Sequence, residues 1–529
     1  MTNLLKILLI ILVIGNPLSI NGKSGDSFYC EASFFAQDED FFIHVVERGQ
    51  TVYSISKTYN VPIELIYKIN PGSETTISVG QELKIPQISG SYIFHTILPK
   101  ETLYSLAKHY YMTGEDIIKA NPGLSVQTFT IGKTIRIPTN MVTYPIEGDD
   151  EMKKMERTNA LLRAVPMTEK LDAVNVALLL PFEKSATDKD NGRQRRFIEY
   201  LEGFLMAIDS LKRTGKSTNL QIYDIGYTSA SLKQVLDKQD LQQVHLIIGG
   251  YTEDQIKALS DFTEKLQIPY VIPFTLKSDE PLSRANTYQL NTPYSFLYAR
   301  IASAFCDKYK EGNIIFITDD KTEKSELIQA IESEMSRRNM TAHILAYNSK
   351  LALALGSLLR DNTENVIVPI NEAEGMLTKI VAPLLSLKQS KPSRKMTVFG
   401  HPEWQRYSTE YNHYYTLNVT ICSVYYVDQN SSEIKTFYNQ FWKWYSSNML
   451  NSYPKYSMLG FDTGMFFISG LSQFGTALEA NINKVQFRGI QTDFRFRRVS
   501  NWGGFINTNL YFITFNPDYT VEKRIVANL

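Results

Sequence analysis

The side chains best suited to chemistry are few in this sequence, and they follow no catalytic or metal-binding spacing. Three cysteines, Cys30, Cys306 and Cys422, and seven histidines are spread over 529 residues. None of them falls into the CxxC, HxxxH or HExxH spacing of zinc sites. The sequence therefore predicts no metal, no cofactor and no catalytic residue. Cys306 and Cys422 lie within apolar helix and strand patterns, and we expect both to be buried free thiols.

Paired carboxylates are the one catalytic arrangement that the sequence leaves open. Glycosidases place two carboxyl groups about 5–10 Å apart, and that distance cannot be read along a chain. No hydrolase motif accompanies the 55 Asp and Glu residues, and no cysteine lies in a motif suited to a Cys/His amidase. The sequence therefore favours a protein that is not an enzyme, with a cell-wall hydrolase as an alternative.

The charge balance narrows the classes of partner. Lys and Arg together number 55, as do Asp and Glu, so the formal net charge is zero. Nucleic-acid binders normally carry a basic surplus, so no nucleic-acid partner is expected. At about 100–200 residues per domain, the length predicts three or four folded units.

A stretch of about 50 residues occurs twice near the N-terminus, as a duplicated module does. "HVVERGQTVYSI" begins at His44 and "HTILPKETLYSL" at His95. Each copy reads as a short strand, two amphipathic helices and a closing strand, which predicts a βααβ module. In helix two of the first copy, Leu65, Ile66 and Ile69 are predicted to face the core.

Both copies resemble LysM domains, small modules that bind N-acetylglucosamine-containing glycans such as peptidoglycan and chitin. The resemblance rests on the strand before "RGQT", the "T-[VL]-Y-S-[IL]" helix start, the Asn that ends helix two and the "G-[QK]-x-[LI]-x-IP" close, over residues 42–87 and 92–139. It implies a sugar groove between the loop before helix one and the loop after helix two. The implied glycan-binding residues are Gly49, Gln50, Thr51, Val52, Asn70, Pro71, Gly72, Ile77, Thr102, Leu103, Asn121 and Gly123.

The second copy departs from the family pattern in the loop before its first helix. Pro99-Lys100-Glu101 replaces the usual Gly-Asp/Gln turn, which predicts a stiffer loop and an uneven grip by the two copies. The two threonines, Thr51 and Thr102, also suit N-caps, so a purely structural role stays open for each. Two weak sites on one chain add through effective concentration when their geometry fits a repetitive polymer.

The N-terminus predicts export. "LLKILLIILVIG" is too short to span a membrane and suits the apolar part of a secretory signal. We expect residues 1–24 to be a signal peptide, with the mature protein in the periplasm or cell envelope and without a membrane span. An uncleaved anchor helix is the alternative. Cys30 lies too far behind the apolar run to suit a lipoprotein.

The remainder of the chain predicts a linker and a large α/β domain. Residues 140–172 are charged and weakly patterned, as in a linker. From residue 173 to 529, continuous apolar runs such as "VNVALLLPF", "VHLIIGG", "NIIFITDD" and "ENVIVPIN" alternate with amphipathic helical stretches. Such alternation is typical of sheets of parallel strands covered by helices.

The order of these elements resembles type I periplasmic binding proteins, which are bilobed receptors with Rossmann-type lobes. The matching stretches include "LEGFLMAIDSL", "IIGGYTEDQI", "IPYVIPFTLKS", "LGFDTGMFF" and a closing hairpin in "NWGGFINTNLYFITFNPDYT". The resemblance implies lobe one at about 173–288, lobe two at about 289–423, and 424–529 completing both. It also implies a ligand cleft at the carboxyl ends of the strands. The implied cleft residues are Phe182, Tyr251, Thr252, Phe274, Thr275, Asp319, Asp320, Asn371 and Glu372.

The cleft departs from the family pattern where an amino-acid carboxylate is usually held. Thr275 with Phe274 beside it replaces the usual pair of hydroxyl side chains, so a standard amino-acid site is not expected. The favoured function is a non-catalytic cell-envelope protein that binds peptidoglycan through its LysM modules. Its α/β domain would then be presented to a protein partner in envelope biogenesis. A wall-tethered solute-binding or sensing receptor is the first alternative, and a cell-wall hydrolase is the second.

Overall fold

The computed structural model describes residues 41–47, 50–87, 91–139, 151–163, 170–182, 192–276, 278–318, 325–370, 372–407 and 411–526. The predicted signal peptide and Cys30 lie outside these residues. The described chain forms two small modules at 41–87 and 91–139, named here the first and second module, and a large domain at 170–526.

Each small module has the predicted βααβ order, and its two strands pair antiparallel. The first module consists of β1 (Phe41–Val45), α1 (Val52–Tyr59), α2 (Ile63–Ile69) and β2 (Glu82–Pro86). The second consists of β3 (Tyr92–Thr96), α3 (Leu103–His109), α4 (Gly114–Ala120) and β4 (Thr134–Pro138).

Fewer apolar residues of α2 are buried in the first module than the sequence pattern predicts. Ile66 of α2 is fully buried, but Leu65 and Ile69 are 38% and 37% exposed, so the prediction that all three face inward was wrong. The physical reason is the length of α2, whose seven residues present little more than one core-facing position to a two-stranded sheet.

The two modules pack side by side through their first strands. The hydroxyl of Thr96 donates a hydrogen bond to the carbonyl of Ile43. The rings of Phe42 and Phe94 lie with their centroids 5.3 Å apart. These contacts join the strands across the boundary between the modules and set the relative orientation of the two modules.

A helix in the predicted linker region, α5 (Glu151–Arg163), covers the second module. Its Leu162 joins the core of that module, and the Lys108 ammonium pairs with the Glu151 carboxylate at 2.8 Å. Gly114 allows the close approach, because a Cβ at this position would lie 2.7 Å from Cγ2 of Thr158. The first module has Ile63 at the equivalent position, so the two copies differ in what covers them.

The large domain alternates strands and helices as the sequence predicts. Its strands are β5 (Ala173–Leu180), β6 (Ser217–Asp224), β7 (Leu246–Gly249), β8 (Tyr270–Ile272), β9 (Thr287–Gln289), β10 (Asn313–Thr318), β11 (Ala342–Ala346), β12 (Asn365–Pro369), β13 (Met396–Gly400), β14 (Thr420–Ser423), β15 (Phe496–Arg498), β16 (Phe505–Asn507), β17 (Tyr511–Phe515) and β18 (Val521–Ile525).

The helices of the large domain lie between these strands. They are α6 (Gly192–Arg213), α7 (Ser229–Leu236), α8 (Glu253–Leu266), α9 (Glu280–Ser283), α10 (Tyr298–Lys308), α11 (Glu326–Arg337), α12 (Leu351–Leu358), α13 (Glu374–Ser390), α14 (Tyr411–Thr416), α15 (Ser432–Tyr445), α16 (Tyr456–Phe474) and α17 (Leu478–Asn481). None of the helices in the described ranges is long and apolar enough to cross a lipid bilayer.

Within the described residues, the strands of the large domain form two seven-stranded sheets, one in each lobe. Lobe one has the order β15-β16-β9-β8-β7-β5-β6, and lobe two has the order β11-β10-β12-β13-β14-β17-β18. Strands β5 to β9 pair parallel, as do β10 to β14, whereas β15, β17 and β18 join antiparallel. This arrangement confirms the predicted bilobed α/β class with two largely parallel sheets.

The described chain passes between the lobes near residues 290, 424 and 508. Hydrogen bonds tie these connections to each other: Thr292 Oγ1 donates to the carbonyl of Asn507 at 2.7 Å, and Asn509 Nδ2 donates to the carbonyl of Val424 at 3.4 Å. The stretch "NWGGFINTNLYFITFNPDYT", expected to form one closing hairpin, is divided between the lobes. Its strand β16 belongs to lobe one and its strand β17 to lobe two.

Two glycines let α6 and α16 pack backbone to backbone in lobe one. A Cβ on Gly203 would lie 1.7 Å from the carbonyl oxygen of Ser457, and one on Gly460 would lie 2.0 Å from that of Tyr200. Any larger side chain at either position would therefore force the helices apart. This contact fixes α6, whose N-terminal turn lies at the carboxyl end of β5, against the rest of lobe one.

Trp502 joins the small modules to lobe one. It lies in the loop between β15 and β16 but is only 2% exposed, because it packs within the apolar core of the first module. Its ring centroid lies 6.1 Å from that of Tyr59 in the first module and 5.7 Å from that of Phe94 in the second. The Arg136 guanidinium lies 5.0 Å from the Trp502 ring, in a cation–π contact.

We expect Trp502→Ala to lower the free energy of unfolding by about 3–5 kcal/mol, because it leaves a large cavity at the junction of three folded units. Thermal unfolding of the chain without residues 1–24 measures the effect. Trp442→Ala is the matched control, since Trp442 is 57% exposed. Equal melting temperatures for the two variants would contradict the assigned role of Trp502.

Candidate functional site

The threonines at the start of the implied sugar grooves are helix caps. Thr51 Oγ1 accepts a hydrogen bond from the Ser54 backbone N–H at 3.1 Å, and Thr102 Oγ1 accepts one from Ser105 at 3.1 Å. In both copies the serine hydroxyl closes a reciprocal capping box. Val52 and Leu103, which follow the caps, are buried in their module cores.

A histidine at the same place in both copies anchors the loop before helix one. His44 Nε2 lies 2.7 Å from Gln50 Oε1, and His44 Nδ1 lies 2.8 Å from the Tyr59 hydroxyl. Because the amide oxygen only accepts, Nε2 carries the proton and the Tyr59 hydroxyl donates to Nδ1. Burial lowers the pKa of His44, in keeping with this neutral imidazole.

The second copy repeats this network with a carboxylate in place of the amide. His95 Nε2 lies 2.8 Å from Glu101 Oε2, and His95 Nδ1 lies 3.0 Å from the Tyr110 hydroxyl. Glu101 also accepts the Leu98 backbone N–H at 2.7 Å, so it holds the loop from inside. From the sequence alone, no role is predicted for either histidine, although both hold the same position in the repeat.

The asparagines that end helix two clamp the module. Asn70 Nδ2 donates to the carbonyls of Ile66 and Lys84, each at 2.8 Å, and its Oδ1 accepts the Lys84 N–H at 2.8 Å. Asn121 makes the equivalent bonds with Ile117 and Arg136. The polar atoms of both side chains are thus engaged within their own modules.

The outer part of each groove remains exposed, and the two copies differ there. Pro71 and Gly72 are exposed, Ile77 is half-buried, and no atom lies within 4 Å of a Cβ built on Gly72. Gly123 is also exposed, but a Cβ on it would lie 3.0 Å from Nε of Arg498 in lobe one. The second groove is therefore bordered by the large domain, and the first is open. Gly49 lies outside the described residues.

In lobe one, the implied cleft residues Phe182, Tyr251 and Phe274 are half-buried and pack against one apolar core. The rings of Tyr251 and Phe274 contact the buried ring of Phe197, with centroids 5.2 Å and 5.1 Å away. Phe182 packs partly buried against the same core. Phe274 also meets the buried ring of Tyr200, with the centroids 4.9 Å apart, so the residue before Thr275 is held by aromatic contacts.

The remaining cleft residues are held by backbone interactions or lie outside the described residues. Thr252 caps α8, and its hydroxyl accepts the Gln255 N–H at 3.3 Å. The carbonyl of Thr275 accepts a hydrogen bond from Gln289 Nε2 at 3.1 Å. Glu372 is exposed after β12. Asp319, Asp320 and Asn371 belong to the part of the chain that the structure does not describe.

Charged side chains of opposite sign stand at the carboxyl ends of the two sheets. On lobe one, the guanidinium groups of Arg193 and Arg196 lie 5.9 Å and 5.8 Å from the rings of Tyr251 and Tyr456. On lobe two, burial raises the pKa of the Tyr298 hydroxyl, and the carboxylates of nearby Glu326, Glu403 and Glu372 raise it further. Arg193 and Arg196 thus lie on the lobe-one side, and Glu326, Glu372 and Glu403 lie near Tyr298 on the lobe-two side.

A buried carboxylate in "LGFDTGMFF" positions a connection between the lobes. Asp462 accepts three backbone N–H groups, from Ile490 at 2.8 Å and from Gln491 and Thr492 at 3.0 Å each. Burial raises the pKa of Asp462 to about 7 against the opposing effect of these donors. Thr492 in turn donates from its hydroxyl to the carbonyl of Val424, so Asp462 holds the connection in place.

Comparison with known families agrees with this geometry. The LysM domain model matches residues 44–86 and 95–138, which fall within the two small modules. The model named "Receptor family ligand binding region" matches residues 201–501, more than half of the 529 residues. The chain belongs to this receptor family. It also carries two LysM domains, as the repeat predicts, and both matched domain types are binding modules.

The similar proteins cover different parts of this LysM-bearing receptor chain. "Putative sporulation-specific glycosylase YdhD" of Bacillus subtilis (strain 168) is 35% identical over 98 residues, which are 18% of this chain. The match takes in 22% of that relative, so the chain spans about a fifth of its length.

Among solved structures, an ABC transporter substrate-binding protein from Desulfitobacterium hafniense in complex with Leu is 13% identical with a TM-score of 0.40, covering 66% of this chain and 100% of that one. One from Sphaerobacter thermophilus is 14% identical with a TM-score of 0.42, covering 68% of this chain and 98% of that one.

We expect the first LysM domain to lose stability as the pH falls below 6.5, the usual pKa of histidine. Burial lowers the pKa of His44 in the folded domain, so the unfolded chain binds this proton at higher pH and acid favours unfolding. Melting temperatures of the wild type and of His44→Gln, measured from about pH 8 to pH 5, isolate the effect. The wild type should fall more steeply with acid; parallel profiles would contradict the assignment.

Proposed function

We propose that this chain is a non-catalytic cell-envelope protein that holds N-acetylglucosamine-containing glycan, such as peptidoglycan, through its LysM domains. Residues 42–87 and 92–139 are the glycan-binding modules, and residues 173–529 form the receptor-like domain that is presented to a protein partner. The observation that carries the proposal is the pair of LysM domains seated on lobe one through Trp502. A module fixed in this way places the receptor domain at a defined position on the polymer.

The open loop of the first LysM domain supports glycan binding. Pro71, Gly72 and Ile77 border an exposed groove, while Gln50 and Asn70 hold its walls rigid from inside. A prearranged groove loses little conformational entropy when a sugar binds. Because Arg498 borders the second groove at Gly123, the first domain supplies most of the affinity in this proposal.

The half-buried aromatic residues Tyr251 and Phe274 support the role of the receptor-like domain as an adaptor. In this proposal the two rings, which pack on the buried Phe197, replace the hydroxyl groups that a solute receptor of this family presents. The polar atoms of Thr252 and Gln255 are engaged in capping α8. A cleft of this composition favours contact with a protein surface over capture of a free amino acid.

We expect Ile77→Ser to weaken binding of the mature chain to purified peptidoglycan about tenfold, as loss of a central apolar contact does. Phe129→Ser, at the equivalent position of the second LysM domain, should have a smaller effect. A sedimentation assay with insoluble peptidoglycan measures the bound fraction. The whole mature chain is needed, because Trp502 completes the core of the first domain and lies far outside residues 42–139.

Leu65→Ser is the matched control, since Leu65 is an exposed apolar residue of the same domain, on α2. It should bind like the wild type. A wild-type chain that stays in the supernatant while an established LysM protein sediments would refute glycan binding. An equal loss of peptidoglycan binding in Ile77→Ser and Leu65→Ser would contradict the proposal that the groove binds the glycan.

A wall-tethered solute receptor is the second candidate, favoured by family membership and by arginines on the lobe-one side and glutamates on the lobe-two side. Arg193 and Arg196 on lobe one, and Glu372 and Glu403 on lobe two, suit a solute with both an anionic and a cationic group. At a hundredfold its Kd, such a solute would raise the free energy of unfolding by about 2.7 kcal/mol.

Thermal shift assays with amino acids, which carry both an anionic and a cationic group and are not ligands of the LysM domains, separate the two candidates. The adaptor predicts no saturable stabilisation by any amino acid. Saturable stabilisation that is reduced in Glu372→Gln would establish the receptor instead. Glu364→Gln, a substitution of a carboxylate at the opposite, amino-terminal end of β12, is the control and should leave any stabilisation unchanged.

A further inference from the structure

A cavity of about 370 Å³ lies outside the interlobe cleft, between α6 and α15 of the receptor-like domain. Its floor is apolar and consists of Met206, Phe437, Phe461 and Ile490. The rings of Phe437 and Phe461 meet there with centroids 5.2 Å apart. The volume falls in the range of small-ligand sites, which is about 300–1,000 Å³.

The rim of this cavity carries neutral polar side chains without protein partners. Ser210 of α6 and Ser432, Thr436 and Gln440 of α15 line it, and the hydroxyl and amide groups of these four make no hydrogen bond within the described chain. Together they offer several donors and acceptors around an apolar floor. This pattern fits a ligand with many hydroxyl groups and one apolar substituent.

The indole ring of Trp444 also lines this cavity. Trp444 lines it and is 43% exposed, although burying such a ring is normally favourable. Thr436, Gln440 and Trp444 follow at spacings of four residues along α15, so they lie on one face of the helix. An accessible ring beside free hydroxyl and amide groups can stack on the apolar face of a pyranose while these groups bind its hydroxyls.

The rim of the cavity disfavours two other kinds of ligand, anionic sugars and proteins. Asp209 and Arg213 pair with each other, so among the residues that line the cavity Glu433 is the charged one without an ion pair in the described part of the chain. An anionic sugar would be repelled by this carboxylate. A protein partner would instead need a contiguous patch of roughly 800 Å² on each side, whereas the lining here is concave and rich in hydroxyl groups.

We propose that this cavity is a saccharide site that takes one uncharged N-acetylhexosamine ring. Trp444 stacks on the sugar, Thr436 and Gln440 bind its hydroxyls, and the floor around Phe437 and Phe461 receives the acetamido methyl group. The site belongs to the receptor-like domain and is separate from the LysM grooves. The same polymer then contacts the chain at the LysM grooves and again on lobe one.

Amide hydrogen exchange of the mature chain with and without tri-N-acetylchitotriose tests the proposal. We expect saturable slowing in residues 432–445, separate from any slowing in residues 50–87. Trp444→Ala should weaken the effect in 432–445 about tenfold, as loss of an aromatic contact does. Cellotriose, which lacks the acetamido groups, should bind there about fourfold more weakly through the loss of one buried methyl.

Trp442→Ala is the matched control, because Trp442 is exposed on the same helix and does not line the cavity. It should leave the slowing in 432–445 unchanged, and Gln440→Ala provides a second lining variant if Trp444→Ala is unstable. Absence of slowing in 432–445, or equal loss in Trp442→Ala and Trp444→Ala, overturns the saccharide site. Absence of slowing in 50–87 alone counts against the LysM grooves and leaves this site standing.

Discussion

The burial of Trp502 is the contact on which the arrangement of the whole chain depends. A residue of lobe one completes the core of the first LysM domain, while its ring also meets Phe94 and Arg136 of the second. Burial lowers the pKa of Arg136 to about 10, which leaves the guanidinium charged at neutral pH beside the indole. The ion pair of Lys57 with Asp279, at 3.5 Å, adds a polar contact at the same junction. The LysM pair is therefore seated on lobe one, and lobe two is attached through the connections between the lobes.

This arrangement changes how the two LysM copies compare. Both keep the same internal framework, in which a histidine, a tyrosine and a glutamine or glutamate hold the loop before helix one. They differ in their surroundings, because α5 and Arg498 border the second copy. The sequence predicted unequal copies from the loop at Pro99. The structure adds a second physical cause, which is the large domain beside the second groove.

The receptor-like domain combines a familiar architecture with an altered cleft. Its two sheets and three connections place the carboxyl ends of parallel strands opposite each other, which is where the ligands of such folds bind. Phe274, in the loop after β8, packs on the buried rings of α6, and Asp462 holds one of the connections between the lobes.

The sequence by itself determined the elements and their class, because periodicity and turn residues are local signals. It predicted the two βααβ modules, the caps at Thr51 and Thr102, and a parallel α/β architecture, while the division into two lobes was implied by the family resemblance. Only the tertiary structure decided which side chains stay available for binding: Gln50, Asn70 and Asn121 turn inward to hold loops and strands. It also decided that Leu65 and Ile69 stay exposed while Trp502 is buried. These outcomes depend on contacts between residues as far apart as 59 and 502, which no local pattern encodes.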